Sequence, residues 1–236
     1  MRNTTCARGV TSTLRSSSDS PQPDLLPSAP WRRFAVIGDT FTVRNRSPGQ
    51  ARVRESWADK VSAALRFRQP NLAYLNLSKQ NFASSQVRVR DLQRLLAFSP
   101  DLAAICYGYD DAVSDSFDIG RFESELVRLL LALRHIDCTV LLIGIFDVTG
   151  PQAPNARKTQ LLQRIEAICS RTSAVATRFG AVYVDMAARI MRDGAACTDD
   201  GKRLNSRGHE IIASETIRQL DDYLRGAGRG GADPGN

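Results

Sequence analysis

Histidine is scarce in this chain: only His135 and His209 occur among 236 residues, too few for a multi-histidine metal site. The five cysteines, Cys6, Cys106, Cys138, Cys169 and Cys197, are odd in number and widely spaced. No pair has metal-ligand or redox spacing, so neither a disulfide framework nor a zinc site is expected. No cofactor is called for. No apolar run reaches the roughly 18 to 20 residues that span a bilayer. The first residues carry Arg, Ser and Thr without the apolar segment of a secretory signal. Together these absences point to a reducing, cytoplasmic setting with no membrane role.

The charge is lopsided but not patterned. Lys and Arg number 32 against 25 Asp and Glu, a formal net charge of +7. The basic residues are scattered among the acids, without a Lys/Arg block or interleaved aromatics. Solvated helix faces account for the excess, and nucleic-acid binding is not expected. Hydrophobic content of 42% and charged content of 24% are ordinary for a globular domain. Residues 1–30 are rich in Ser, Thr and Pro and lack apolar periodicity, so a disordered tail is expected there. Residues 31–225 form the expected domain, and the Gly-rich 226–236 a second tail. One domain of about 195 residues can bury a full core without staples.

Within the domain, strand-like and helix-like stretches alternate. Short apolar runs at 33–37, 72–77, 102–107, 139–145 and 181–184 read as strands. Stretches of helical period lie at 55–67, 85–98, 120–134 and 158–179. A short helix is expected over 186–192 and a last one from Asn205 or Ser206 to 224. This alternation predicts a three-layer α/β fold with a five-stranded parallel sheet in the flavodoxin-like order 2-1-3-4-5.

Polar clusters follow the first three strands, and another precedes the last helix. They are Asp39-Thr40, Lys79-Gln80-Asn81, Asp110-Asp111, and 199–203. In an open parallel sheet, ligands bind beyond the carboxyl ends of the strands. The four clusters are therefore expected to converge on one cleft that holds a small-molecule substrate or ligand. Asp39 and Asp111 read first as anchors of neighbouring loops, Lys79 as a solvated loop residue, and His209 as packing or capping at the last helix.

In order and spacing these blocks resemble those of the SGNH, or GDSL-type, hydrolases. Ile37-Gly38-Asp39-Thr40-Phe41-Thr42 is similar to the first block, which reads Gly-Asp-Ser. Residues 76–82 resemble the second block. Gly108-Tyr109-Asp110-Asp111 resembles the third, Gly-x-Asn-Asp, and 200–208 the last, Asp-x-x-His. Trp57, the strand at 139–145 and the run Leu204-Asn-Ser-Arg-Gly-His209 also fit, so the likeness covers about residues 33–224.

The resemblance implies the fold above and an esterase- or lipase-like acyl hydrolysis, with a Ser nucleophile, a His base, and Ser amide, Gly amide and Asn side chain holding the oxyanion. Matched position by position, it puts Thr40 at the nucleophile, Asn81 or Gln80 at the Gly, Asp110 at the Asn and Arg203 at the His, with Asp200 retained. Thr can be a nucleophile but needs a base. Arg stays protonated and cannot be that base. An ionised Asp repels a developing oxyanion. Loss of a triad nucleophile or base alone costs on the order of 10⁶ in turnover, about 8 kcal/mol.

Ordinary Ser-His ester hydrolysis is therefore not expected, and an Asp110–Arg203 ion pair is. Thr40, Asp110, Arg203 and Asp200 are the candidate catalytic residues. Asp39, Lys79, Gln80, Asn81, Gly108 and Tyr109 are candidates for holding substrate. Two readings stay open. One is an enzyme with a reworked site, in which Asp110 (alone or with Asp39) does acid/base work on a small metabolite, Arg203 binds an anionic or carbonyl group and Thr40 positions the substrate. The other is a pseudoenzyme that binds a ligand or protein. Weak Thr40-dependent esterase activity is a further alternative.

Overall fold

The computed structural model describes residues 26, 29–43, 55–80, 83–84, 89–146, 155–186, 196–197 and 203–229. Five strands form one all-parallel sheet: β1 (Arg33–Gly38), β2 (Ala73–Asn76), β3 (Leu102–Cys106), β4 (Thr139–Ile143) and β5 (Val182–Val184), in the order β2-β1-β3-β4-β5. Chain order reverses between β1 and β3, the switch point at which α/β sheets open a cleft. The central strands are apolar without alternation because helices cover both faces. All of β3 is buried, and β1 is buried from Phe34 onward.

The helices are α1 (Trp57–Arg68), α2 (Val89–Phe98), α3 (Tyr109–Val113), α4 (Ile119–Arg134), α5 (Asn155–Phe179) and α6 (Ser206–Arg229). Helix α1 begins in a capping box. The Ser56 hydroxyl accepts from the Asp59 N–H, and the Asp59 carboxylate accepts from the Ser56 N–H. Its buried face, with Trp57, Val61 and Leu65, packs beside α6. Helices α4 and α5 pack against each other, and α2 touches α4. One apolar core joins these layers through the sheet.

The five strands and their order match expectation, with differences at the ends. The fourth strand stops at Ile143 rather than 145, and the long helix starts at Asn155 rather than 158. Helix α3 and a 3-10 turn at Thr40–Thr42 were not foreseen, since five or three residues carry no periodicity. Leu26 and Ala29 are buried in the core, and the Leu26 N–H donates to the Asp221 carboxylate at 3.3 Å. Helix α6 runs on to Arg229. The helix expected over 186–192 falls, after Met186, outside the described residues. Among the described residues, no helix is long and apolar enough to cross a membrane.

Candidate functional site

The site is built where β1 and β3 end side by side. Gly38 pairs with Cys106 in the register, and the Asp39 N–H donates to the Cys106 carbonyl at 3.0 Å. A side chain at position 38 would run into the Thr42 hydroxyl and the Cys106 carbonyl, so this close approach needs glycine. The turn after β1 is thereby pressed against the segment after β3.

Asp39 ties the two turns together. Its carboxylate is fully buried and accepts four main-chain N–H groups: Phe41 at 3.0 Å, Gly108 at 3.1 Å, Tyr109 at 2.9 Å and Asp110 at 3.4 Å. It caps the 3-10 turn on one side and supplies the start of α3 on the other. The supply is needed because Gly108, which precedes α3, sits at φ +125° and has no side chain to cap it. Burial, and then the neighbouring Asp110 carboxylate, push the Asp39 carboxyl up to about 8, while the N–H donors oppose the shift. Both cleft candidacy and anchoring were open for Asp39 in the sequence; its contacts are those of an anchor.

Asp110 faces Thr40. The Thr40 hydroxyl lies 3.0 and 2.9 Å from the two carboxylate oxygens and donates to them, and the Thr40 N–H donates to Oδ2 at 3.3 Å. One carboxylate thus takes both the side-chain and the main-chain donor of the same residue. Thr40 is almost wholly buried, whereas Asp110 is half-buried at the edge of the site.

The neighbouring Asp111 turns the other way. It accepts from the Ser84 N–H at 2.9 Å and the Ser84 hydroxyl at 2.7 Å, fastening the segment after β2 to α3. Burial raises its carboxyl, and the Ser84 bonds offset part of that.

The other expected residues are spread more widely. Lys79 follows β2, but its ammonium is held by the buried Asp91 of α2, at 2.8 and 2.7 Å. It serves as a bridge between the β2 loop and α2 rather than as a free cleft charge. Gln80 beside it is exposed. The Tyr109 ring is buried and stacked on Phe41, with centroids 4.6 Å apart. Gly108 is needed for its backbone angle and because a side chain there would crowd Ile168. Arg203 is half-buried and directly precedes Leu204, which bridges to Cys197. Asn81 and Asp200 lie outside the described residues.

Contacts around the start of α6 explain Asn205, Gly208 and His209. Asn205 caps the helix, its Oδ1 accepting from the Gly208 N–H at 2.9 Å while its Nδ2 donates to the Cys197 carbonyl at 2.8 Å. A side chain at 208 would collide with the Ala196 carbonyl. His209 is buried, and its Nδ1 accepts the first N–H of α1, from Trp57, at 3.1 Å. That bond requires the neutral imidazole with its proton on Nε2. Burial takes the His209 pKa down to about 4. Packing or capping at the last helix was expected of His209; its Nδ1 instead meets the start of α1, while Asn205 caps α6.

Two participants carried no sequence signal. Ser84 is one of many loop serines. Arg164 stands on the polar side of α5, yet its guanidinium donates to the carbonyls of Ala112 at 2.9 Å and Ser114 at 2.8 Å. It also lies over the Phe117 ring at 4.9 Å. It closes the C-terminal end of α3, the helix that presents Asp110.

Among the described residues, no group of three or more His, Cys, Asp or Glu side chains is placed to hold a metal ion. The chemistry at hand is that of a carboxylate at the site edge, hydrogen-bonded to a hydroxyl and an amide.

Residues 36–211 match the family described as GDSL-like Lipase/Acylhydrolase. Among solved structures, the chain is similar to LAE5, an alpha/beta hydrolase enzyme from the metagenome of Lake Arreo, Spain, with TM-score 0.64 and 18% identity over 80% of this chain and 94% of that one. It is also similar to Axe2, an acetylxylan esterase from Geobacillus stearothermophilus, with TM-score 0.62, 18% identity and the same coverage. At this identity the likeness speaks for the fold. No curated protein sequence matches the chain.

Proposed function

The chain belongs to the GDSL-like lipase/acylhydrolase family, and on that premise we propose that it is a member with a reworked site, acting on a small metabolite without Ser-His ester hydrolysis. The observation that carries this reading is the clamp of Asp110 on Thr40, in which the carboxylate accepts both the hydroxyl and the N–H. In the family's first block the residue at this position supplies the nucleophile and one oxyanion donor. Here the N–H points at an anion. A negative charge developing on a substrate oxygen at that N–H would meet a carboxylate instead of a free donor.

The half-buried Asp110 is open to one side and is the candidate acid/base group. Arg203 is the candidate partner, either paired with Asp110 or binding an anionic or carbonyl group of the substrate. Acid/base chemistry such as isomerisation, elimination or cyclisation suits a site of this kind. Thr40, with its hydroxyl hydrogen-bonded to Asp110, positions the substrate.

The test is turnover of short-chain aryl esters by the full chain and by Thr40→Ala. The expected result is no turnover above the buffer rate for either protein. Robust turnover that Thr40→Ala abolishes would overturn the proposal. One observation favours that second reading of a weak Thr40-dependent esterase: the 2.9 Å contact is within reach of proton transfer from the Thr40 hydroxyl to Asp110. In that case Asp110→Asn would also remove turnover. A silent enzyme in which a screen finds a saturable ligand but no conversion would favour the pseudoenzyme.

A further inference from the structure

At the opposite, amino-terminal end of the sheet lies a cavity of about 510 Å³, away from the strand ends that carry Thr40 and Asp110. Its floor is the start of β4, at Thr139 and Val140, and Ala181 ahead of β5. Its walls bring Arg134 from the end of α4, Arg178 and Phe179 from the end of α5, and Tyr223 from α6. The volume falls within the roughly 300–1,000 Å³ typical of small-ligand sites.

The two guanidiniums are the notable feature. An arginine near a helix C-terminus ordinarily serves the last carbonyls of its helix. Here several of those carbonyls are taken by main chain. At α4, the N–H groups of Ile136 and Cys138 donate to Leu133 and that of Asp137 to Arg134, through a turn with Asp137 at φ +52°. At α5, the Gly180 N–H donates to Thr177 and the Ala181 N–H to Ala176, with Gly180 at φ +67°. Neither arginine pairs with a carboxylate among the described residues. The guanidinium of Arg178 rests over the Phe179 ring at 4.9 Å, and that of Arg134 is exposed.

The cavity also offers apolar surface. Tyr223 is 39% exposed, and its ring stacks with the buried Trp31 at 6.4 Å, which fixes its plane. Phe179 is half-buried. The exposed Asp137 also lines the cavity. Burial pushes the Cys138 thiol up to about 12, which disfavours its thiolate.

We propose that this cavity binds a ring-bearing phosphate monoester, the chemistry of a mononucleotide. The two guanidiniums would take the phosphate, and Tyr223 and Phe179 would flank the ring. A phosphate presents oxygens to two arginine forks at once, whereas a carboxylate fills only one. The site is independent of the Thr40–Asp110 cluster and of the function proposed for it.

The test is titration of the full chain with phenyl phosphate, inorganic phosphate and benzoate, followed by calorimetry and by amide chemical shifts. Saturable binding of phenyl phosphate is expected, at least tenfold tighter than that of either other probe. Shifts should centre on Thr139, Gly180 and Ala181. The double substitution Arg134→Gln/Arg178→Gln should weaken binding at least tenfold while leaving the circular dichroism spectrum unchanged. Tyr223→Ala should erase the preference over inorganic phosphate. Absence of saturation at millimolar phenyl phosphate, equal affinity of the double variant, or shifts centred on Thr40 instead would each overturn the proposal.

Discussion

The two ends of the sheet use charge in opposite ways. At the carboxyl end, acidic side chains are absorbed into the fold. Asp39 takes four N–H donors, Asp111 takes both donors of Ser84, and Asp110 clamps Thr40. At the amino end, Arg134 and Arg178 stand beside helix ends where main-chain N–H groups already take several of the last carbonyls. The contrast teaches that charge density at strand ends is not by itself a measure of reactivity. Buried carboxylates at the carboxyl end hold loops together, and Asp110 alone among the three is half-open.

The largest effect on this contrast should come from Asp39→Ala. It strands four main-chain donors in the interior, and a loss of about 3 to 5 kcal/mol is expected in denaturant unfolding. A loss under about 1 kcal/mol would show that the turns do not depend on this anchor.

Next is the pH dependence of His209. Its pKa falls from 6.5 to about 4 on folding, so the native state binds fewer protons than the unfolded chain in that window. Stability from this group is therefore complete above pH 6.5 and is lost as pH falls toward 4. The wild type should lose on the order of 3 kcal/mol more than His209→Gln between pH 7 and pH 4. Parallel pH profiles would mean that the imidazole is not buried neutral. Asp39 carries the opposite sign: its raised carboxyl contributes stability that is full below about pH 4 and is lost as pH rises through about 8. Unfolding free energy should thus decline from pH 6.5 to above 8, and Asp39→Asn should flatten that decline.

Smaller changes sharpen the picture. Lys79→Ala leaves Asp91 buried without its ammonium, and a loss of about 1 to 2 kcal/mol is expected by thermal or denaturant unfolding. Arg134→Gln/Arg178→Gln should change stability by less than about 0.5 kcal/mol, since neither side chain completes a cap or an ion pair within the described fold. A large loss there would erase the difference between the two ends.

These outcomes bear on what the sequence could reveal. The sheet was legible because strands covered on both faces are short apolar runs, and Phe34–Ile37, Leu102–Cys106 and Thr139–Ile143 are such runs bounded by polar turns. The meeting of Asp39, Thr40 and Asp110 was legible too, because strand order places the ends of β1 and β3 together. Side-chain direction was not. Tyr109 lies in a helix of five residues, too short for a period to separate its buried ring from the half-open Asp110 next to it. Lys79 suited a solvated loop position or a substrate contact, and neither reading foresaw that the start of α2 would bring Asp91 to it. Leu26 lies in a Ser/Pro-rich stretch whose composition hides one buried leucine. Arg164 acts through main-chain carbonyls of a distant segment, a contact that only the fold creates.

Asp110 holds the Thr40 hydroxyl at 2.9 Å, and the proposed function requires that Thr40 not serve as a nucleophile. The most direct measurement is exposure of the full chain to a serine-reactive aryl phosphonate, followed by intact-mass and peptide mass spectrometry. No adduct is expected on the peptide that contains Thr40. A stoichiometric adduct at Thr40, lost in Thr40→Ala, would contradict it.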